Sequence, residues 1–340
     1  MKPIVVLGRF FAFALALSLM PTGSAVGQQE SQQQRTQSQP YNNAPTWRDV
    51  RSGKEEYTSI KGRETGVLVQ TYGETWRQLK NGWITPIVGW AIAAVVLVIG
   101  LFYRWKGSIK VHGAPTGRLI QRFTPFERYV HWVVAISFSI LGITGLVIML
   151  GKYLLLPVIG YTLFAWLTQL FKHLHNFAGP VFVVSLLMFI VMFIKDNLPR
   201  LYDIGWLMKA GGMISGQHVP SGRFNAGEKI WFWAGVVGLS LIVSASGLIL
   251  DFPNFDQVRA VMIEANLVHA VTAGAVMAIS LGHIYLGSIG LEGAYDAMRY
   301  GYVDEAWAKE HHEYWYNDVK SGKVKLGTAM GQPGAAQVQH

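Results

Sequence analysis

Five of the ten histidines in this 340-residue chain lie within or at the edge of long uncharged stretches, and four of them could act together. These four are His131, His175, His269 and His283. An ionisable side chain inside a membrane is costly to desolvate, so each of the four is a functional candidate by default. Imidazole can ligate haem iron, and it can also relay protons. The four histidines therefore indicate a haem site or a proton path.

The chain contains no cysteine. This excludes disulfides, thiolate metal sites, iron–sulfur clusters held by this chain and the Cys-x-x-Cys-His attachment of c-type haem. Acidic residues stand only at the boundaries of the apolar stretches, and neither a catalytic triad nor a pair of general-acid carboxylates is visible. The chemistry that remains is that of haem, imidazole or carboxylate.

The composition is that of a membrane protein. Hydrophobic residues make up 51% of the chain and charged residues 14%, with a mean hydropathy of +0.27, whereas roughly 25% of residues are charged in soluble domains. The net charge of +9 would suggest nucleic acid as a partner of a soluble protein. Here Lys and Arg lie mainly between apolar runs, where membrane topology explains them better, so no nucleic-acid partner is predicted.

Five uncharged runs of 21 to 27 residues reach the length of roughly 20 residues that a span needs. They predict spans at about 83–103, 129–150, 173–194, 230–250 and 265–291. A sixth run, 153–171, could be a span or an interfacial loop, because it contains Pro and Gly. Leaving it out of the membrane satisfies the positive-inside rule, since the Lys/Arg-rich connections 104–128 and 195–229 then both face the cytoplasm. The 292–340 tail is also cytoplasmic in this topology.

The N-terminal region predicts export. Residues 1–27 carry Lys2 and Arg9, an apolar stretch too short to span a membrane, and small residues where a signal peptidase could cleave. Residues 28–82 would then form a periplasmic segment that begins with a disordered Gln/Ser-rich leader. The N-terminus of the mature chain would lie outside the membrane.

Topology pairs the four histidines by depth. His269 and His283 are fourteen residues apart, which places them within roughly 40° on one helix face and roughly 21 Å apart along the axis. In the predicted orientation His175 lies near the outer end with His269, and His131 lies near the inner end with His283. Two imidazoles at each depth are typical of bis-histidine haem b, so we predict two haems per chain. Of the other histidines, His112 and His218 are expected to be solvated.

Several short segments together resemble one family, the gamma subunit (cytochrome b556 membrane subunit) of respiratory formate dehydrogenase. The resemblance covers about 122–318. The segments are Arg128-Tyr-Val-His131-Trp132, Leu174-His175-x-x-x-Gly179, Phe224-Asn225-Ala226-Gly227-Glu228-Lys229, His269-x13-His283-Ile-Tyr285 and the tail Trp307-Ala-Lys-Glu-His311-His312-x-x-Trp315-Tyr316. This chain departs from the short form of the family by its signal peptide, exported segment and first span.

The resemblance implies a function and partners. His131 with His283 would hold the cytoplasm-side haem, and His175 with His269 the periplasm-side haem. The quinone site would fall on Asn225, Gly227 and the His283 region. An iron–sulfur subunit and a molybdenum or tungsten subunit that oxidises formate would be the partners, in a bacterial inner membrane. The segment Asn-Ala-Gly is equally typical of a helix cap or turn.

The sequence as a whole predicts an all-α membrane protein. Its core, 129–291, would be a four-helix transmembrane bundle holding two haems b, preceded by one extra N-terminal helix and a cleaved signal peptide. The cytochrome b subunits of nickel–iron hydrogenase and of thiosulfate or polysulfide reductase remain alternatives. So do a histidine-dependent proton-coupled transporter and a passive membrane anchor.

Overall fold

A computed structural model describes residues 44–52, 56–57, 67–69, 72–213, 215–255 and 257–324. The predicted signal peptide and the Gln/Ser-rich leader lie outside the described residues, as does the end of the tail. Within the described residues the chain divides after Lys54 into two compact units. The first contributes helix α1, Ala44–Ser52, and the second contains all the other elements.

The second unit is mostly helical. Its long helices and short strands, in chain order, are β1 Glu56–Tyr57, β2 Val67–Val69, α2 Gly73–Lys106, β3 Leu119–Gln121, α3 Pro125–Leu154, α4 Leu156–Phe193, α5 Leu201–Met208, α6 Ala226–Asp251, α7 Arg259–Gly290, α8 Ala294–Tyr300, β4 Tyr302–Asp304, α9 Glu305–His311 and α10 Glu313–Lys320. The strands form two antiparallel pairs, β1 with β2 and β3 with β4.

Among the described residues, five helices are long and apolar enough to cross a membrane, and these are α2, α3, α4, α6 and α7. Their number agrees with the five predicted spans. The helices extend past the uncharged runs, and α3 and α6 begin at side-chain caps that lie outside the apolar stretch. At the start of α3, for example, Pro125 is the first helical residue, Thr124 accepts a hydrogen bond from the Glu127 backbone, and the Glu127 carboxylate accepts one from the Thr124 backbone at 2.7 Å.

The 153–171 run is helical, so the interpretation of this run as an interfacial loop is wrong. Helix α3 ends at Leu154, and α4 begins at Leu156. Gly160 interrupts α4 with a φ of 75°, and the helix continues after it to Phe193 with Pro180 in its interior. At about 1.5 Å per residue this part of α4 is roughly 50 Å long, which exceeds a hydrocarbon core of about 30 Å. That 153–171 lies outside the membrane stays a prediction.

The five long helices contact one another in a closed circuit. Helix α3 packs on α4, α4 on α6, α6 on α7, α7 on α2 and α2 on α3. Helix α2 docks closely on α7, because Gly274 leaves a notch for Val88; a Cβ at Gly274 would lie only 2.5 Å from that side chain. At the other end of the contact, the Trp76 indole donates a hydrogen bond to Asn266 at 3.2 Å. The helix predicted as an extra span thus completes the circuit.

The group of five helices has two ends. At the hairpin end α3 and α4 join at Leu155, and at the tail end the 305–320 segment packs. Buried ion pairs join the helix termini at the tail end. Arg122 pairs with Glu228 at 3.0 Å, and Arg223 pairs with Glu127 at 2.8 Å. Lys229 pairs with Asp203, also at 2.8 Å. These pairs connect the starts of α3, α5 and α6. Because each buried charge has its partner, their desolvation cost is offset.

Candidate functional site

The structure brings the four histidines together as two pairs. The ring centroids of His131 and His283 are 6.4 Å apart, toward the tail end. Those of His175 and His269 are 6.1 Å apart, nearer the hairpin end. These are the pairs that depth and helix face predicted.

Each pair reaches across a gap between helices. His131 is on α3, His175 is on α4, and both of their partners are on α7. Helix α7 makes almost no close backbone contact with α3 or with α4. The rings therefore approach each other from helices that do not pack directly, and the histidine side chains line the space between these helices.

The residues fit a haem iron between the rings of each pair. Two metal–nitrogen bonds of about 2 Å and two ring radii of about 1 Å add to about 6 Å, close to both observed separations. The His283 side chain has solvent-accessible surface even though many protein atoms lie around it, as expected for a ring that lines an internal gap. The Nδ1 atom of His131 is buried and has no hydrogen-bond partner in the part of the chain that the structure describes.

Hydrogen bonds fix the ring nitrogens of the hairpin-end pair. The Nδ1 of His269 lies 3.0 Å from the Val243 carbonyl, which can only accept, so Nδ1 carries the proton. The Nδ1 of His175 lies 2.8 Å from the Thr144 hydroxyl. That hydroxyl donates its own proton to the Ile140 carbonyl at 2.7 Å, so it accepts from His175. In both rings Nε2 keeps its lone pair, the form that a metal ligand requires.

Aromatic rings surround the tail-end pair. The Trp231 indole stacks on the His283 imidazole, with centroids 5.2 Å apart and planes 14° from parallel. Trp132 and Phe189 flank His131 at centroid distances of 5.4 and 6.3 Å. Sequence reasoning missed Trp231 and Thr144, since the rotation of one helix against another leaves no signal in hydropathy.

Two glycines provide room for the hairpin-end rings. A Cβ at Gly145 would lie 3.4 Å from Cε1 of His175, and a Cβ at Gly247 would lie 3.0 Å from Cε1 of His269. Gly274, on the same helix as His269, accommodates helix α2 instead.

Gly247→Ala is expected to push the His269 ring out of place, because its methyl group would be in tighter contact than packed cores tolerate. The expected result is a lower haem content at the hairpin-end pair with little change at the tail-end pair, measured as haem per purified chain. Gly282→Ala is the matched control, since a Cβ there meets nothing within 4 Å. Equal haem contents in the two variants would contradict the prediction.

Asn225 caps helix α6. Its Oδ1 accepts from the Glu228 backbone at 3.0 Å, and the Glu228 carboxylate accepts from the Asn225 backbone at 2.8 Å. The cap that the sequence allowed is therefore present, and it occupies only the oxygen of the amide. Gly227 leaves room for an indole: a Cβ there would lie 3.1 Å from Cη2 of Trp206.

The histidines of the tail are structural. His312 is 1% exposed, and its Nδ1 donates to the Gly222 carbonyl at 2.8 Å. Burial lowers the pKa of His312 well below its usual value and lowers the pKa of His311 to about 4. The solvated His112 and His218 each bond a carboxylate of the same segment, Glu310 at 2.7 Å and Glu313 at 2.8 Å.

The docking of the 305–320 segment is expected to weaken as pH falls from about 6.5 toward about 4. Within that range undocked His311 and His312 bind protons, but the docked rings do not, so protonation favours undocking. Hydrogen exchange of this segment at pH 7.5 and pH 5 would measure the effect. His311→Gln, which cannot titrate, should reduce the dependence on pH, and an unchanged dependence would contradict the assignment to His311.

Comparison with known proteins supplies the family. The model of the family described as prokaryotic cytochrome b561 matches residues 122–299, just over half of the chain. A formate dehydrogenase cytochrome b556(fdo) subunit of Escherichia coli K12 is 32% identical over 213 residues, 61% of this chain and 96% of the relative.

Two further relatives have similar names. The nitrate-inducible formate dehydrogenase cytochrome b556(Fdn) subunit of the same organism is 27% identical over 63% of this chain and 98% of the relative. A formate dehydrogenase cytochrome b556 subunit of Haemophilus influenzae is 26% identical over 65% of this chain and 93% of the relative. With two histidine pairs and five long apolar helices, the chain belongs to the prokaryotic cytochrome b561 family and is similar in sequence to the formate dehydrogenase cytochrome b556 subunits.

Proposed function

We propose that this integral membrane cytochrome b passes electrons through two haems b to membrane quinone, as the membrane subunit of a formate dehydrogenase. Membership of the family implies haem b, and the relatives are named as subunits of formate dehydrogenase. The observation that carries the proposal is the arrangement of the two imidazole pairs, each spaced for one iron.

The four histidines would hold the haems, His175 with His269 and His131 with His283. Haem b with two imidazole ligands supplies one-electron transfer without an open position for oxygen. The chain's own contribution is to hold the rings: the Val243 carbonyl and the Thr144 hydroxyl orient the hairpin-end pair, and the Trp231 indole orients His283.

The two ends of the helices would have different tasks. The hairpin end would face the periplasm and receive electrons from an iron–sulfur subunit, while formate is oxidised on a separate molybdenum or tungsten subunit. The tail end would face the cytoplasm, where quinone is reduced near Asn225 and His283. Electrons that arrive outside while protons are taken up inside contribute to the membrane potential, at about 2.3 kcal/mol per charge and 100 mV.

The reduced-minus-oxidised visible spectrum of the purified chain tests the proposal. The expected result is a b-type spectrum equivalent to two haems per chain. A proton-coupled transporter or a passive anchor predicts none, so a spectrum without b-type haem would refute the proposal.

The proposed orientation predicts the outcome of reporter fusions. Reporters placed after Gly113, Gly160 and His340 should read inside, outside and inside, because the connections 104–128 and 195–229 are rich in Lys and Arg. An inside result at Gly160 would contradict both the orientation and the assignment of the hairpin end to the periplasm.

A further inference from the structure

The two histidine pairs differ in the partners of their Nδ1 atoms. At the hairpin end, both Nδ1 atoms lie within hydrogen-bond distance of an oxygen: Thr144 Oγ1 for His175 and the Val243 carbonyl for His269. At the tail end, the Nδ1 of His131 has no partner among the described residues, and His283 is held by its stacking on Trp231. The two sites are therefore built with different electrostatics.

Thr144 is fixed in the role of acceptor. Its side chain is buried, with an exposure of 2%, and its hydroxyl proton is directed to the Ile140 carbonyl of the preceding turn at 2.7 Å. The oxygen can then only accept from the ring of His175 at 2.8 Å. The short distance within a buried site makes this bond stronger than the same bond in water.

We propose that Thr144 is a positioning residue that sets the ring plane and tautomer of His175 and thereby lowers the midpoint potential of the hairpin-end haem. The inference rests on the proposed function, because it assumes that His175 ligates a haem iron. A partner that accepts the Nδ1 proton makes the imidazole a more basic ligand, and a more basic ligand stabilises the oxidised iron.

The asymmetry favours electron transfer in one direction. The tail-end pair has no such acceptor among the described residues, and this difference by itself raises the potential of its haem relative to that of the hairpin-end haem. An electron would pass from the hairpin-end haem to the tail-end haem. This step would oxidise the first haem, reduce the second and bring the electron nearer to Asn225. The counterpart of Thr144 at His269 is Ser246, whose hydroxyl oxygen lies 3.4 Å from Nδ1, but the Val243 backbone carbonyl is nearer, at 3.0 Å, and no substitution removes it.

Redox titration of the purified protein, with both haems followed by their visible spectra, tests the role of Thr144. Thr144→Val keeps the shape of the side chain and removes the hydroxyl acceptor, while the Leu141 backbone carbonyl, which also bonds His175, stays in place. We expect the equilibrium constant for one-electron reduction of the hairpin-end haem to rise by about tenfold, which raises its midpoint potential by about 59 mV. The potential of the tail-end haem should stay unchanged. Thr144→Ser keeps the hydroxyl and should restore the original potential.

Thr272→Val is the matched control. It removes the same hydroxyl from a residue one turn from His269 whose oxygen bonds only backbone carbonyls of its own helix. A Thr144→Val protein with two haems and a shift no larger than that of Thr272→Val would overturn the inference.

The order of potentials in the unmodified protein is a second test, and it applies even if Thr144→Val loses a haem. His269→Ala should retain only the tail-end haem, which identifies the titration step of that haem. The hairpin-end haem must then be the one of lower potential, and the reverse order would overturn the inference. Absence of any b-type haem from the unmodified protein would instead refute the proposed function.

Discussion

Replacing His175 or His269 by Ala is expected to halve the haem content of the chain, from two haems to one. Either substitution removes one of two ligands whose rings stand 6.1 Å apart, and an alanine methyl cannot bridge the gap to an iron. The remaining spectrum should be that of the tail-end haem. His131→Ala and His283→Ala should give the reciprocal result, with loss of the tail-end haem. Haem per chain and the visible spectrum measure both outcomes.

His173→Ala is the control for these substitutions. His173 is two residues from His175, is exposed and is turned roughly 200° away on the same helix. The His173→Ala protein should therefore retain both haems. Full haem content in any one of the four ligand variants would remove that residue from the ligand set. Because each haem would fill a gap between helices, we also expect the ligand variants to be less stable than the control.

The number of long helices and the pairing of the histidines could be predicted from the sequence. Span length is set by bilayer thickness, and the spacing from His269 to His283 fixes their relative rotation on α7. Orientation by Lys and Arg then left one arrangement of depths. Pairing by depth needs no knowledge of how the helices pack, and that is why it agrees with the structure.

Contacts made through the rotation of other helices could not be predicted. Thr144 is one of several hydroxyl residues in apolar runs, and only the packing of α3 on α4 directs it to His175. Trp231 and Gly247 reach the rings for the same reason. The helical state of 153–171 was missed because Pro157 and Gly160 are typical of loops, whereas here Gly160 produces a single kink within α4.

The basic connections show a second limit of sequence reasoning. Arg122 and Arg223 were interpreted only as topological signals, yet both are engaged with carboxylates distant in the chain, Glu228 and Glu127. The charge count predicts the side of the membrane, while the ion pairs hold the starts of α3 and α6 at the tail end. They also place Asn225 next to the Arg122–Glu228 pair, at the mouth of α6.

Asn225 offers a test that separates its two roles. The helix cap uses Oδ1 alone, and the structure gives its Nδ2 no hydrogen-bond partner within the described part of the chain, so this group is free to donate to a quinone carbonyl. Asn225→Leu removes both functions, and loss of the cap alone would cost about 1 kcal/mol of stability. Asn225→Asp keeps an oxygen for the cap and removes the donor, and it adds one negative charge beside the Arg122–Glu228 pair.

Both variants are expected to keep two haems that formate still reduces in the complex, while reoxidation by added quinone slows by about tenfold, as for the loss of one hydrogen bond of about 1.5 kcal/mol. The measurement is stopped-flow reoxidation of the haems after verification of haem content. If Asn225→Leu slows reoxidation and Asn225→Asp does not, the amide acts through the cap alone. If neither variant slows it, quinone binds elsewhere.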